Sequence, residues 1–189
     1  MVEEEWLSDA KRRNSWLDGG TLGYKFGRVL SFFLRLAGLK DIALSKDAMF
    51  DHLLEFYRGL SEEEKMCCYA FRRYHVSNGG TMRIGLVVAG PISLKYCIYG
   101  IWIFTWKNEK EIRLGEITKT LSLTYPKRSY EIAFQFVKEG KKGEFSVEKE
   151  EIYENWNEFR LQLTEESWDE FVSTVRKNFK VEEKIIRMF

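Results

Sequence analysis

The sequence predicts an α+β protein in which N-terminal helices pack on a twisted antiparallel β-sheet of about five to six strands, closed by a C-terminal amphipathic helix. Apolar residues recur at helical spacing in residues 1–80 and follow a period of two across 81–163. Helical spacing returns at about 164–179. We expect a single domain over 1–189, because the Gly79-Gly80 junction is too short to separate two folding units.

The N-terminal part predicts several helices. Residues 22–37 carry apolar side chains on two sides, which indicates a well-buried helix. Another helix is expected at 47–58. Ser61 and Glu64 have the spacing of a capping box, which predicts that a further helix begins there and runs to about residue 75.

The C-terminal helix is the best specified element. Thr164 can cap it, and basic residues lie in its last turn, where the helix dipole favours them. One face carries the apolar residues Trp168, Phe171, Val172, Val175 and Phe179. This face should cover the sheet.

Alternation predicts the strands between the helical parts. They fall at Thr81–Ala89, Tyr96–Trp106, Ile112–Tyr125, Tyr130–Phe136, Phe145–Val147 and Phe159–Leu163. Residues 96–106 are apolar on both parities, which indicates a strand covered on both faces. Turns are expected at Asn108-Glu109 and Gly140–Gly143, and a bulge or hairpin turn at Gly115-Glu116.

Charge is distributed unevenly along the chain. The net charge of +1 conceals blocks of 0 over 1–80, +6 over 81–142 and −5 over 143–189. A basic block of this kind suggests a surface that faces a polyanion. The alternative is that opposite charges neutralise each other across neighbouring strands.

Catalytic and metal-binding motifs find no support in the sequence. The two histidines, His52 and His75, have no ligand spacing for zinc, so we predict no metal site and no cofactor. Cys97 falls inside a predicted buried strand, where a thiol is inert. The glycines at 19–23 match no phosphate-binding fingerprint. We therefore predict that the chain is not an enzyme.

The helix pair 47–58 and 61–75 raises the alternative of a helix-turn-helix. Arg72 and Arg73 would lie near the C-terminal end of the second helix. The N-terminal residues of a recognition helix usually enter the groove, and here they are Glu62–Glu64, which would repel phosphate. Major-groove recognition is therefore disfavoured.

The basic, aromatic strands predict nucleic-acid binding, preferably to single-stranded DNA or RNA. Cations track such a backbone and aromatic rings stack on its bases. The candidate residues are Arg83, Lys95, Tyr96, Trp106, Lys107, Lys110, Arg113, Lys119, Lys127 and Arg128.

The alternative function is a protein-interaction or assembly module without catalytic activity. Tyr153, Trp156 and the apolar tail 181–189 would meet a partner, either a second copy or another protein. No membrane partner is expected, because Gly90-Pro91 and Lys95 interrupt the longest apolar region. The three cysteines imply no disulfide framework and favour a cytoplasmic setting, and few Pro with many Lys and Glu are compatible with a thermophile.

The segment Leu161-Gln162-Leu163-Thr164-Glu165-Glu166-Ser167-Trp168 resembles two known junctions between a last strand and a helix. One belongs to small single-stranded-DNA-binding coactivator domains. The other is the close of pleckstrin-homology-type barrels, whose final helix often carries a Trp. The resemblance covers about a tenth of the chain and implies no functional residue.

Overall fold

The structure is a computed structural model of the chain, and it describes residues 46–75, 81–101, 105–125, 130–149 and 165–187. Their architecture is α+β. The helices are α1 (Lys46–Arg58), α2 (Glu62–Lys65) and α3 (Glu165–Asn178), and a 3₁₀ turn spans Leu114–Glu116. The strands are β1 (Cys68–His75), β2 (Thr81–Ala89), β3 (Ser93–Ile101), β4 (Thr105–Arg113), β5 (Ile117–Thr124), β6 (Tyr130–Lys138), β7 (Lys141–Lys149) and β8 (Val181–Ile185).

The strands form two sheets of four, where the sequence predicted one sheet of five to six strands. The first sheet has the order β1-β2-β3-β4 and is antiparallel throughout. The second has the order β7-β6-β5-β8, in which β8 runs parallel to β5. The chain passes between the sheets at the 3₁₀ turn, where the apolar parity changes and a bulge or hairpin turn was expected.

The predicted helix over 61–75 is wrong beyond its first turn. The capping box forms, since the Ser61 hydroxyl accepts from the Glu64 amide and the Glu64 carboxylate accepts from the Ser61 amide. After α2 the chain becomes β1 and pairs with β2 along its whole length, from Cys68 opposite Val88 onward. Pairing along a neighbouring strand outweighs a weak helical pattern. The alternative of a helix-turn-helix over 47–75, which the sequence disfavoured, is therefore excluded.

Two predicted turns also change. Asn108 and Glu109 lie in the middle of β4, opposite Ile98 and Cys97, so the turn predicted there is wrong. The turn predicted at 140–143 is narrower and consists of Glu139 and Gly140.

The main core lies between the two sheets and α3. The inner face of the first sheet supplies Tyr96 and Ile98, and the second supplies Phe134 and Phe136. The predicted apolar face of α3 is confirmed, and its buried members are Trp168, Phe171, Val175 and Phe179. The helix is joined to β1 by a hydrogen bond of 2.6 Å between the hydroxyls of Tyr69 and Thr174.

A second core lies on the outer face of the first sheet. Met49, Leu53 and Tyr57 of α1 pack there against Leu86 and Tyr99. Residues 96–99 are therefore buried on both faces, which confirms the prediction for this part of the strand. The predicted helix at 22–37 and the predicted strand at 159–163 lie outside the described residues, as does Thr164.

Candidate anion-binding surface

Three of the predicted binding lysines are ion-paired. Lys95 Nζ lies 2.7 Å from a Glu64 carboxylate oxygen and 3.6 Å from one of Glu111. Lys107 pairs with Glu109 at 3.2 Å, and Lys119 pairs with Glu182 at 2.9 Å. The last pair joins the basic block of the sequence to its acidic block. At Lys95 and Lys119, opposite charges neutralise each other across neighbouring strands, as the alternative interpretation of the charge pattern expected. Lys107 pairs instead within its own strand.

The predicted residues of the first sheet do not share one face. The register places Lys95 and Lys107 on the outer face, together with the exposed Arg113. Arg83 and Lys110 belong to the inner parity, although both are exposed. Lys119 lies on the second sheet. These cations cannot bind one nucleic-acid backbone together across the sheet.

Tyr96 is part of the core. It is 3% exposed, and its ring stacks on Phe145 with a centroid separation of 4.1 Å. Burial raises the pKa of its phenol. The ring therefore has no free face for a base. The side chain of Trp106 lies outside the described part of the structure, and so do Lys127 and Arg128.

A different set of cations gathers at one end of the sandwich. We call Lys110, Lys138, Lys141 and Lys142 the hairpin lysines, because three of them flank the β6–β7 turn. Lys110, Lys141 and Lys142 are exposed, and Lys138 is half-buried. Within the described part of the chain, none of the four has a carboxylate oxygen within ion-pair distance.

The tight turn brings two of the hairpin lysines together and places a third on the other face. Glu139 and Gly140 have φ angles of 53° and 73°, and two successive positive φ values are typical of a two-residue type I′ hairpin turn. Lys138 therefore lies directly opposite Lys141 on the same face. Lys142 lies opposite Val137, on the other face.

Lys110 joins this group from the first sheet. Its Nζ lies 5.1 Å from the centroid of the Phe136 ring, two residues before Lys138. The Phe136 ring lies over Gly143, where a Cβ would come within 2.5 Å of ring atoms. Lys138 Nζ donates a hydrogen bond to the backbone carbonyl of Glu111, next to Lys110. The surface is thus anchored on both sheets.

The sequence missed three of these four lysines. Lys138, Lys141 and Lys142 fall in the basic block, but they lie around a turn and none is directly adjacent to an aromatic residue in the sequence. The run Lys-Glu-Gly-Lys-Lys at 138–142 could have indicated this surface. A type I′ turn at Glu139-Gly140 places the flanking lysines opposite each other.

The cleft between α1 and β4 offers little for catalysis. It has a volume of about 570 Å³ and is lined by groups of both charges, including Glu55, Lys107 and Glu109. His52 Nδ1 lies 2.9 Å from the buried Tyr99 hydroxyl. Burial and the nearby Glu109 carboxylate raise the pKa of Cys97 to about 12, so its thiolate is scarce at neutral pH.

Metal and membrane sites find no support in the described ranges. No group of three or more His, Cys, Asp or Glu residues there could hold a metal ion. None of the helices described is long and apolar enough to cross a membrane.

No family model matches the chain, and no curated protein sequence matches it significantly.

Proposed function

We propose that the chain binds nucleic acid through the phosphate backbone and that the hairpin lysines make the contacts. The observation that carries this proposal is that Lys138 lies directly opposite Lys141, with Lys110 and Lys142 beside them, and that none of the four has a carboxylate partner among the described residues. Like charges held close together repel each other, and a bound polyanion relieves that repulsion and releases its own counterions.

This surface favours phosphate contacts over base stacking. Phe136 is buried beneath Lys110, and Tyr96 is buried in the core. The exposed ring of Tyr130 lies at the opposite end of β6, with Lys149 Nζ 5.8 Å from its centroid. Since stacking is what distinguishes single strands in sequence-tolerant binding, we expect similar affinity for single- and double-stranded oligonucleotides.

The test is fluorescence anisotropy with labelled single- and double-stranded oligonucleotides over a salt series. If the four lysines each neutralise a phosphate, the plot of log K against log salt for duplex DNA should have a slope of about −3 to −4. The double variant Lys141→Ala with Lys142→Ala should make the slope shallower by about 2.

The matched control is Lys119→Ala, which removes a cation that Glu182 already neutralises. It should leave both the affinity and the salt slope unchanged. The proposal is contradicted if the affinity does not fall as salt is added. It is also contradicted if Lys119→Ala weakens binding as much as the double variant of Lys141 and Lys142 does.

A second candidate function is docking of a protein partner, favoured by apolar side chains left in solvent. Ile185, in the predicted interaction tail, is 72% exposed on β8. Ile92 is 70% exposed and its carbonyl accepts from the amide of Leu114, which is itself exposed. Tyr153, Trp156, Met188 and Phe189 lie outside the described residues.

This candidate is tested without deleting the tail, because residues 181–185 are a strand of the second sheet. Ile185→Ser and Ile92→Ser keep the backbone and remove the apolar surface. If partner docking uses these residues, pull-down of a bound protein should be lost in the variants while oligonucleotide binding persists. Recovery of the same protein by both variants counts against this candidate.

A further inference from the structure

Strand β4 is an edge of the first sheet, and its backbone groups alternate between two directions. The Leu114 amide donates to the Ile92 carbonyl, which continues the β3–β4 ladder. In an antiparallel ladder only every second residue exchanges hydrogen bonds with its partner strand. The even-numbered residues of β4 therefore bond to β3, and the odd-numbered residues direct their amides and carbonyls away from the sheet.

Two further contacts agree with this alternation. The Glu111 carbonyl accepts from Lys138 of the second sheet, and the Arg113 amide donates to the Glu116 carboxylate at 2.8 Å. Both groups belong to odd-numbered residues. One end of the edge is thus occupied by groups of the same chain. Among the described residues, the amides and carbonyls of Lys107 and Glu109 have no such partner.

We propose that this edge pairs with the β4 edge of a second copy of the chain, with Lys107 of each copy opposite Glu109 of the other. In this antiparallel register, the two residues of each pair exchange both backbone hydrogen bonds. Both of these pairs combine a lysine with a glutamate, so the contact is complementary to itself about a two-fold axis. The two sheets join into one.

The other registers that keep the same faces aligned are disfavoured by charge or by a backbone group that is already bonded. A shift in one direction places Glu109 opposite Glu109 and Lys107 opposite Glu111, whose carbonyl already accepts from Lys138. A shift in the other direction places Lys107 opposite Lys107. A larger shift places Lys107 opposite Arg113 and Glu109 opposite Glu111. Like charges directly opposite each other are destabilising in a sheet.

Among the described residues, the surroundings of the edge leave room for a second strand. Helix α1 packs over β2 and β3, so β4 borders the open cleft on the outer face. Both Lys107 and Glu109 are exposed. In one chain their charged ends already lie 3.2 Å apart, and in the dimer each also gains an opposite charge from the second copy. The small contact predicts a weak dimer that forms at high protein concentration.

The first test removes one backbone donor without changing the ladder. Glu109→Pro deletes an amide that points away from β3, which an edge strand tolerates. By sedimentation velocity over a concentration series, the wild type should shift from a mass of 22.4 kDa toward twice that value, and Glu109→Pro should remain monomeric. Lys110→Pro is the matched control, since it deletes a ladder amide and should lower thermal stability instead.

The second test uses charge reversal in separate chains. Lys107→Glu gives one copy two acidic residues at the contact, and Glu109→Lys gives the other two basic residues. Each variant alone should dimerise at least about tenfold more weakly than the wild type, because both pairs become repulsive. An equimolar mixture should form a heterodimer, because both pairs become attractive again.

This mixing result cannot arise from a contact within one chain. A wild type that stays monomeric at all concentrations overturns the proposal, as does a dimer that persists unchanged in Glu109→Pro or fails to respond to the charge reversals. The oligonucleotide titrations test the hairpin lysines. If the chain fails to bind oligonucleotides, the dimer of β4 edges can still be tested by sedimentation.

Discussion

Helix α3 covers the main core, so Phe171→Ala should greatly lower the free energy of unfolding. Its side chain is fully buried between the sheets, with ring centroids 5.4 Å from Tyr69 and 5.7 Å from Trp168. Truncation of a buried phenylalanine to alanine loses the transfer free energy of the ring and leaves a cavity, which together cost about 3–5 kcal/mol. For a chain of this length, that corresponds to a fall in Tm of about 10 °C.

The assay is thermal and urea unfolding of Phe171→Ala beside two other variants. Phe171→Leu keeps most of the apolar volume and should cost less than about 1.5 kcal/mol. Ser173→Ala changes an exposed residue of the same helix and should stay within about 0.5 kcal/mol of the wild type. A loss below about 1 kcal/mol in Phe171→Ala would mean that α3 does not close the core, which would refute this packing.

The remaining predictions concern titrating groups. The reactivity of Cys97 is measured with Cys67 and Cys68 replaced by serine. At pH 8 the Cys97 thiol should react with a thiol reagent about 1000-fold more slowly in the native chain than after unfolding, because its pKa is raised from 9.0 to about 12. Equal rates in the two states would contradict the burial of Cys97. Burial alone would raise the pKa of Glu64, but hydrogen bonds from Lys95 and the Ser61 amide outweigh it, so the pKa lies below 4.5. The carboxylate therefore stabilises the fold above its unfolded pKa, and this stabilisation is lost as the pH falls through the folded pKa. Between about pH 5 and about pH 3, Glu64→Gln should lose less unfolding free energy than the wild type does. A pH dependence identical to that of the wild type would contradict the Lys95–Glu64 pair.

Patterns that depend on neighbours in sequence predicted local structure well. The spacing of Trp168, Phe171 and Val175 identifies the buried face of α3, because one helix face needs only residues three and four apart. The capping box at Ser61 and Glu64 forms for the same reason. The two-sided apolar pattern after Tyr96 correctly indicates a strand covered on both faces.

The candidate surface was less accessible to sequence reasoning. Lys95, Lys107 and Lys119 look like binding residues in a basic block, yet each meets a glutamate. For Lys95 and Lys119 the pairing depends on strands and helices that are distant in sequence. Conversely, Lys110 and Lys138 lie 28 residues apart in the chain and become neighbours only because β4 and β6 belong to facing sheets.

The sequence alone therefore determined the α+β class, the antiparallel strands, the amphipathic closing helix and the uneven distribution of charge. Tertiary structure decided that 68–75 is a strand, that the strands divide into two sheets and which lysines are neutralised. The physical reason is the separation in sequence over which each kind of interaction acts. Helix periodicity and capping are local, whereas strand pairing and ion pairing join residues whose separation no single stretch of sequence records.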